Sequence, residues 1–247
     1  MLILSTDSLK GYGLNRIFGF AKEADYDGLE LVLDKKEFDT QNADYVKDLV
    51  KEYKMPVVAV RTFKNSTIKK TEIVLKIAQE LKAKTVILDS PKIFDFKYAE
   101  WMKKEVPSLR KKYGVSIALK NSPHETLFVV IPGRAMSSMA DLQNFKQVCL
   151  DTAYLYSKKI DLMKAYRMVK KYMVHVHLSN VRHERMHSFP TEGIIPLESL
   201  LTKLKKDKYK GDVSVLVRPQ DMKVGKDKEV LEKLGEIKSF YENYFGK

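Results

Sequence analysis

Ionisable side chains alternate with apolar ones in several strand-like segments of this sequence. In Met173–Ser179, Val174, Val176 and Leu178 form one row, and His175 and His177 form the other. Successive side chains of a strand point to opposite faces, so the apolar row is predicted to meet helices and the polar row to point away from them. The same alternation in the other predicted strands places a larger set of ionisable side chains on the inward face, namely Glu30, Lys120, Asp151, His175, His177 and Arg218. Carboxylates, imidazoles and cations in one place can transfer protons, bind an anion or hold a metal ion.

Strand-like and helix-like stretches alternate eight times along the 247 residues. The strand candidates are Leu2–Ser5, Gly28–Asp34, Val57–Phe63, Thr85–Ser90, Val115–Asn121, Val148–Thr152, Met173–Ser179 and Val213–Arg218. Eight β-then-α units predict an α/β protein that is a single (β/α)8 TIM barrel domain over residues 1–247. An open doubly wound sheet is the competing fold, but Gly11-Tyr-Gly13 lacks the rest of its glycine-rich fingerprint. The polar inward residues lie mainly at the carboxyl ends of their strands, where such barrels carry their chemistry.

Composition narrows the function classes. There are 45 Lys and Arg against 32 Asp and Glu, a net charge of +13, but the lysines are dispersed over predicted solvated helix faces. This favours a lysine-rich surface over a nucleic-acid footprint, although nucleic acid remains an alternative partner. No apolar run has the length of a membrane span, so we expect a cytoplasmic protein without a membrane partner. The single cysteine, Cys149, is interpreted as a small core residue.

Four short motifs resemble the xylose isomerase-like barrel superfamily, which includes sugar isomerases, ketose epimerases, inositol-pathway enzymes and endonuclease IV. His175-Val-His177-Leu-Ser-Asn180 is similar to its seventh strand, and Leu150-Asp151-Thr152 to the end of its sixth. His187, with Gly193 six residues on, resembles a loop that leads into helix seven, and Gly28-Leu-Glu30 a second-strand element. The resemblance implies that Asp151 and His177 are metal ligands.

The sequence departs from that family pattern at several ligand positions. Lys120 and Arg218 stand where relatives place ligand glutamates at the ends of strands five and eight. Tyr154 replaces a frequent histidine, Arg185 an endonuclease IV acid, and Asn180 the frequent acid of strand seven. Contact between a metal cation and the positive charge of Lys120 or Arg218 is repulsive and costs about 4 kcal/mol per pair of unit charges at an effective dielectric near 20. We therefore expect no metal cofactor, with Asp151 and His177 as residual ligands if Zn, Mn or Mg is retained.

Two accounts of these basic replacements remain open, with a third of lesser weight. In one, internal salt bridges Lys120–Asp151 and Arg218–Glu30 occupy the place of the ion. In another, Lys120, Arg218, Arg61 and Arg182 form an anion pocket. In the third, Lys120 is a base or Schiff-base former of lowered pKa. The long loop from Glu125 to Ser138 is a lid candidate and carries Arg134.

The predicted function is a sugar isomerase or epimerase that acts on or binds a small anionic polyol, such as a sugar phosphate. The catalytic candidates are Glu30, Lys120, Asp151, His177 and Arg218, and the substrate-binding candidates are Arg61, Asp89, Tyr154, His175, Arg182 and His187. Glu30 or His177 would act as the base beside a carbonyl, while Lys120 and Arg218 stabilise the enolate. The alternatives are an endonuclease IV-like AP endonuclease and a non-catalytic anion-binding barrel.

Overall fold

Eight parallel strands close into a barrel in the computed structural model, which describes residues 1–128 and 131–246. Each strand pairs with the next along the chain, and the eighth pairs with the first. The strands are β1 (Leu2–Ser5), β2 (Gly28–Val32), β3 (Val57–Arg61), β4 (Thr85–Asp89), β5 (Ser116–Lys120), β6 (Val148–Asp151), β7 (Met173–Leu178) and β8 (Asp212–Val215). The predicted (β/α)8 fold is thereby confirmed.

Helices follow the strands and cover the outside of the barrel. They are α1 (Leu14–Glu23), α2 (Ala43–Tyr53), α3 (Ile68–Glu80), α4 (Phe96–Tyr113), α5 (Met139–Phe145), α6 (Thr152–Ser157), α7 (Leu162–Val169), α8 (Leu197–Lys206) and α9 (Asp227–Tyr244). Polar residues fix several helix starts by accepting from the third helical N–H, as Ser138 does for α5 and Asp151 for α6. None of the described helices is both long enough and apolar enough to cross a membrane.

The strand side chains divide between two buried apolar clusters. Leu150, Val176 and Leu178 belong to the large cluster between barrel and helices, whereas Ile87 and Cys149 belong to a small cluster inside the barrel. The prediction that Cys149 is a buried core residue is thus confirmed.

The alternation fails at Val174, which the sequence pattern assigned to the helix-facing row. It packs against the small interior cluster instead. The cause is a register shift, in which Val148 pairs with Met173 and Cys149 with His175. A bulge of this kind leaves one residue without a partner and breaks the alternation.

The predicted strand β8 was too long at its carboxyl end. The strand ends at Val215, so Arg218 lies in the following loop rather than on the strand. The backbone N–H of Arg218 donates to the carbonyl oxygen of His187 at 2.8 Å, which ties this loop to the one after β7.

Two short antiparallel hairpins stand in the loops at the carboxyl end of the barrel. One pairs Thr126–Leu127 with Ile131–Pro132 in the loop predicted as a lid, of which residues 129 and 130 lie outside the described part. The other pairs Asn180–Arg182 with Arg185–Ser188, and it places His187 over the end of β6. These hairpins bring loop residues to the strand ends that carry the candidate site.

Candidate functional site

Glu30 lies at the centre of a fully buried polar cluster inside the barrel. Its Oε2 lies 3.0 Å from His175 Nε2 and 2.8 Å from His177 Nε2. Its Oε1 accepts from Ser5 Oγ at 3.0 Å and lies 3.7 Å from Arg61 Nη1. Strands β1, β2, β3 and β7 each contribute a member, so the cluster forms only when the barrel closes.

The electrostatics of this cluster support a charged Glu30. Burial alone would raise the pKa of Glu30, but His177 and His175 lower it well below its usual range. Burial likewise opposes a charge on His177, yet Cys149, Glu30 and Asp151 raise its pKa well above its usual value. Burial lowers the pKa of His175. The arrangement therefore corresponds to a Glu30 carboxylate beside a charged His177 and a neutral His175.

Asp151 ends β6 and begins helix α6. Its Oδ1 accepts from the backbone N–H of Tyr154 at 3.1 Å, and its Oδ2 lies 3.1 Å from His187 Nε2 and 3.5 Å from His177 Nδ1. The backbone of Asp151 also exchanges two hydrogen bonds with the Asn121 side chain. These contacts hold a fully buried carboxylate rigidly and orient His187 against it.

Lys120 pairs with Asp89 rather than with Asp151, so the predicted partner was wrong. The Lys120 Nζ lies 2.9 Å from Asp89 Oδ1 and 5.2 Å from the centre of the Tyr154 ring. Burial would lower the pKa of Lys120, but Asp89 overcomes this and raises it. The ammonium is therefore charged, which contradicts the minor hypothesis of a lysine with lowered pKa.

Arg61 takes the contact with Glu30 that the sequence interpretation gave to Arg218. It also forms an ion pair with Asp7, a residue in the loop after β1. Because Asp7 lies outside every predicted strand, the alternation pattern gave no signal for it.

Arg218 contacts Asp221 and not Glu30. Its Nη2 lies 2.7 Å from Asp221 Oδ2, and its side chain is 31% exposed. The predicted Arg218–Glu30 pair is thus wrong, because β8 ends before Arg218 and the loop turns toward Asp221. Arg182 is more remote: it pairs with Glu192 in a shallow depression formed by the β7–α8 loop.

A cavity of about 610 Å³ opens at the carboxyl end of the barrel. Its walls include several predicted substrate-binding or catalytic residues, namely Arg61, Asp89, Lys120, Tyr154 and His187. Among the described residues, its walls do not include other candidates, namely Glu30, Asp151, His175, His177, Arg182 and Arg218. The predicted residues therefore divide into three groups. Some form a wall that a ligand can touch, Glu30, Asp151, His175 and His177 are fully buried, and Arg182 and Arg218 are exposed and partly exposed, respectively, outside the cavity.

The cavity wall carries more positive than negative charge. Within residues 1–128 and 131–246, seven Lys and Arg residues line it against four Asp and Glu residues. Sequence reasoning missed the basic residues Lys10, Lys36 and Lys64, which come from loops after β1, β2 and β3. Their position shortly after predicted strands could have identified them, because the loops at the carboxyl ends of the strands meet at one mouth in this kind of barrel.

Comparison with known proteins agrees with this architecture. The sequence model of the Xylose isomerase-like TIM barrel family matches residues 18–234, and the chain belongs to this family. It is 25% identical to an uncharacterised protein of Mycobacterium leprae over 260 residues, which covers 92% of each protein. An uncharacterised Mycobacterium tuberculosis protein is 29% identical over 127 residues, or 48% of this chain and 45% of that protein.

Solved structures, including that of a sugar epimerase, share the fold. The 3-keto-D-glucoside 4-epimerase YcjR of E. coli has a TM-score of 0.74 at 17% identity, with 96% of this chain and 98% of that one covered. The IolI protein with a bound zinc atom has a TM-score of 0.71 at 17% identity, with 100% and 99% covered. The chain therefore has the fold of a sugar epimerase or isomerase.

Proposed function

We propose that this barrel binds a small anionic polyol, such as a sugar phosphate, in its mouth and isomerises or epimerises it without the divalent ion of its family. The observation that carries the proposal is the position of Lys120. Its ammonium lies in the cavity wall, 6% exposed, at the position where the resemblance to the family places a ligand glutamate.

The donor atoms near Asp151 are a poor fit for the family's metal ion. Asp151 and His177 offer one carboxylate and one imidazole, with Asp151 Oδ2 and His177 Nδ1 already 3.5 Å apart. His187 Nε2 adds a second imidazole, 3.1 Å from the same oxygen. The resemblance to the family places two further ligands, both glutamates, at Lys120 and Arg218. Lys120 has an ammonium there, and Arg218 contacts Asp221. A hard divalent ion requires anionic oxygen ligands, so this set disfavours it.

The charges of the wall suit an anionic group on the substrate. Lys120 and Arg61 are largely neutralised by Asp89 and Asp7, but the wall as a whole keeps an excess of cations. Arg134 reaches the wall from the lid candidate, where its Nε donates to Glu125 Oε2 at 2.8 Å. Guanidinium and ammonium groups are the usual partners of phosphate and carboxylate.

The proton-transfer step needs a group that touches the substrate. Of the predicted site residues that can transfer a proton, His187, Asp89 and Tyr154 line the cavity, whereas Glu30 and His177 lie beneath it. We assign His187 or Asp89 as the group that removes the proton beside the carbonyl, and Lys120 as the cation that stabilises the resulting enolate oxygen. Glu30 and Asp151 are then positioning residues, which orient His177 and His187.

The experiment is a binding and exchange assay on chelator-treated protein. We expect sugar phosphates and sugar acids to raise the thermal midpoint more than neutral sugars of the same skeleton, because a ligand of the native state stabilises it. In D2O, a true substrate should exchange the hydrogen beside its carbonyl, followed by NMR. The same ligands should not raise the thermal midpoint of Lys120→Met. If no ligand raises the midpoint of the unaltered chain and none exchanges its hydrogen, the proposal is refuted.

The non-catalytic alternative is supported by the complete burial of Glu30 and His177. It predicts the thermal shift without any deuterium exchange, so one assay separates the two functions. The endonuclease alternative predicts instead that a duplex with an abasic site is cleaved and that a chelator abolishes the cleavage.

A further inference from the structure

A second set of donor atoms lies in the barrel interior, in the layer below the cavity. Cys149 on β6 is in register with His175 on β7, and His177 follows two residues later on the same inward face. All three side chains are fully buried. One donor atom of each, the sulfur or a ring nitrogen, lies within 4.8 Å of the other two. Thiolate and imidazole together form the donor set that zinc prefers.

Several polar atoms of this layer have no hydrogen-bond partner among the residues that the structure describes. They include the Nδ1 atom of His175 and the Oγ of Ser214, which is in register with His177 on β8. The Nδ1 atom of His177 has a neighbour at a longer distance, Asp151 Oδ2 at 3.5 Å. A buried polar atom without a partner is unfavourable, because it has lost its hydrogen bonds to water. Most buried polar atoms of native proteins have a partner, and an ion or an ordered water in this layer would supply one.

Glu30 supports such a site from the opposite side of the imidazoles. Its Oε2 lies 3.0 Å and 2.8 Å from the Nε2 atoms of His175 and His177. When a carboxylate accepts from Nε2–H, the lone pair of a neutral imidazole such as His175 lies on Nδ1, whereas a charged His177 must first release its Nδ1 proton. A carboxylate that fixes the tautomer in this way is the common support of a metal-binding histidine.

We propose that Cys149, His175 and His177 bind a zinc ion within the barrel. The Cys149 sulfur loses its proton to solvent as the sulfur–zinc bond forms, and any proton on the coordinating ring nitrogens leaves in the same way. Zinc is the ion of choice because magnesium, calcium and manganese favour oxygen ligands. The site differs from the family's position beside Asp151, since it depends on Cys149 and His175.

The test titrates chelator-treated full-length protein with Co²⁺, which reports sulfur coordination through a charge-transfer band in the near ultraviolet. We expect the band to saturate at an equimolar ratio and Zn²⁺ to displace it. Cys149→Ser should abolish the band, and His175→Gln should weaken Zn²⁺ binding by about tenfold or more. The exposed His124 provides the matched control, because His124→Gln should bind like the unaltered chain.

The unaltered protein decides the question even if a variant fails to fold. Absence of Co²⁺ and Zn²⁺ binding, or Co²⁺ binding without the sulfur band, would overturn the proposal. Binding that survives Cys149→Ser but is lost in Asp151→Asn would do the same, because it places the ion at the family position. None of these outcomes bears on sugar phosphate binding, which is measured on chelator-treated protein.

Discussion

Two layers of the barrel interior hold charged groups under different conditions. The mouth layer, defined as Asp7, Arg61, Asp89 and Lys120, lines the cavity with side chains 6–33% exposed. The buried layer, defined as Glu30, Cys149, His175 and His177, has no exposed surface. The contact of Arg61 with Glu30, at 3.7 Å, joins the two.

The difference in exposure suits the mouth layer to ligand recognition and the buried layer to the positioning of side chains. Ion pairs in the mouth layer line the cavity, so a ligand that enters it can compete for their partners. The buried layer has no such freedom, because each lost contact would leave a charge in a medium of low dielectric. Substrate discrimination is therefore expected to depend on the mouth layer, and fold stability on the buried layer.

The largest predicted effect comes from Glu30→Ala in the buried layer. Removing this carboxylate leaves the imidazoles of His175 and His177 without their shared partner, and loss of one member of a buried ion pair typically costs about 3–5 kcal/mol. Urea denaturation at neutral pH measures the loss. Ser5→Ala, which removes only the 3.0 Å hydrogen bond to Glu30, should cost about 1 kcal/mol. Equal losses in the two variants would contradict the special role of the charge.

The next effect separates the layers by ligand affinity. Lys120→Met should weaken sugar phosphate binding about 10- to 100-fold, since a hydrogen bond to a charged group contributes about 1.5–3 kcal/mol. Isothermal titration measures it, with Lys111→Met in α4 as the matched control. Loss of affinity in Ser5→Ala as large as in Lys120→Met would show that the layers are not separable.

These layers also show how far the sequence could be read. Alternation placed Glu30, His175 and His177 inside the barrel and predicted all eight strands, because burial on one face imposes a period of two. It failed at Val174, where the bulge adds a residue that no composition signal reveals.

Partners within the site were harder to predict than directions. Lys120 was expected to meet Asp151 but meets Asp89, its direct neighbour in register on β4. Arg218 was expected inside, yet β8 ends at Val215 and the loop carries Arg218 to Asp221. Facing follows from the sequence of one strand, whereas pairing depends on register between strands and on where each strand stops. Neither the register nor the end of a strand can be predicted from the sequence of that strand alone.

The pH dependence of stability tests the Asp89–Lys120 ion pair of the mouth layer. Burial would raise the pKa of Asp89, but Lys120 and Arg61 lower it overall. A carboxyl group whose folded pKa is lowered stabilises the fold above its unfolded pKa of about 3.9, and this contribution is lost as pH falls through the folded pKa. Asp89→Asn should therefore be destabilised at pH 7 and approach the unaltered chain in strong acid. A constant difference between the two proteins from pH 7 to pH 2 would count against the ion pair.

The smallest predicted effect concerns the rim of the cavity, where Lys36 and Lys64 are exposed. Charges in contact with water are screened, so the double variant Lys36→Gln and Lys64→Gln should weaken sugar phosphate binding only about two- to fivefold. The difference should shrink in high salt, because the Debye length falls from about 10 Å at 0.1 M to about 3 Å at 1 M. Lys111→Gln with Lys112→Gln, in the last turn of α4 at the other end of the barrel, removes the same net charge as a control. If the control pair weakens binding equally, the net charge of the chain attracts the ligand and the placement of charge around the mouth does not.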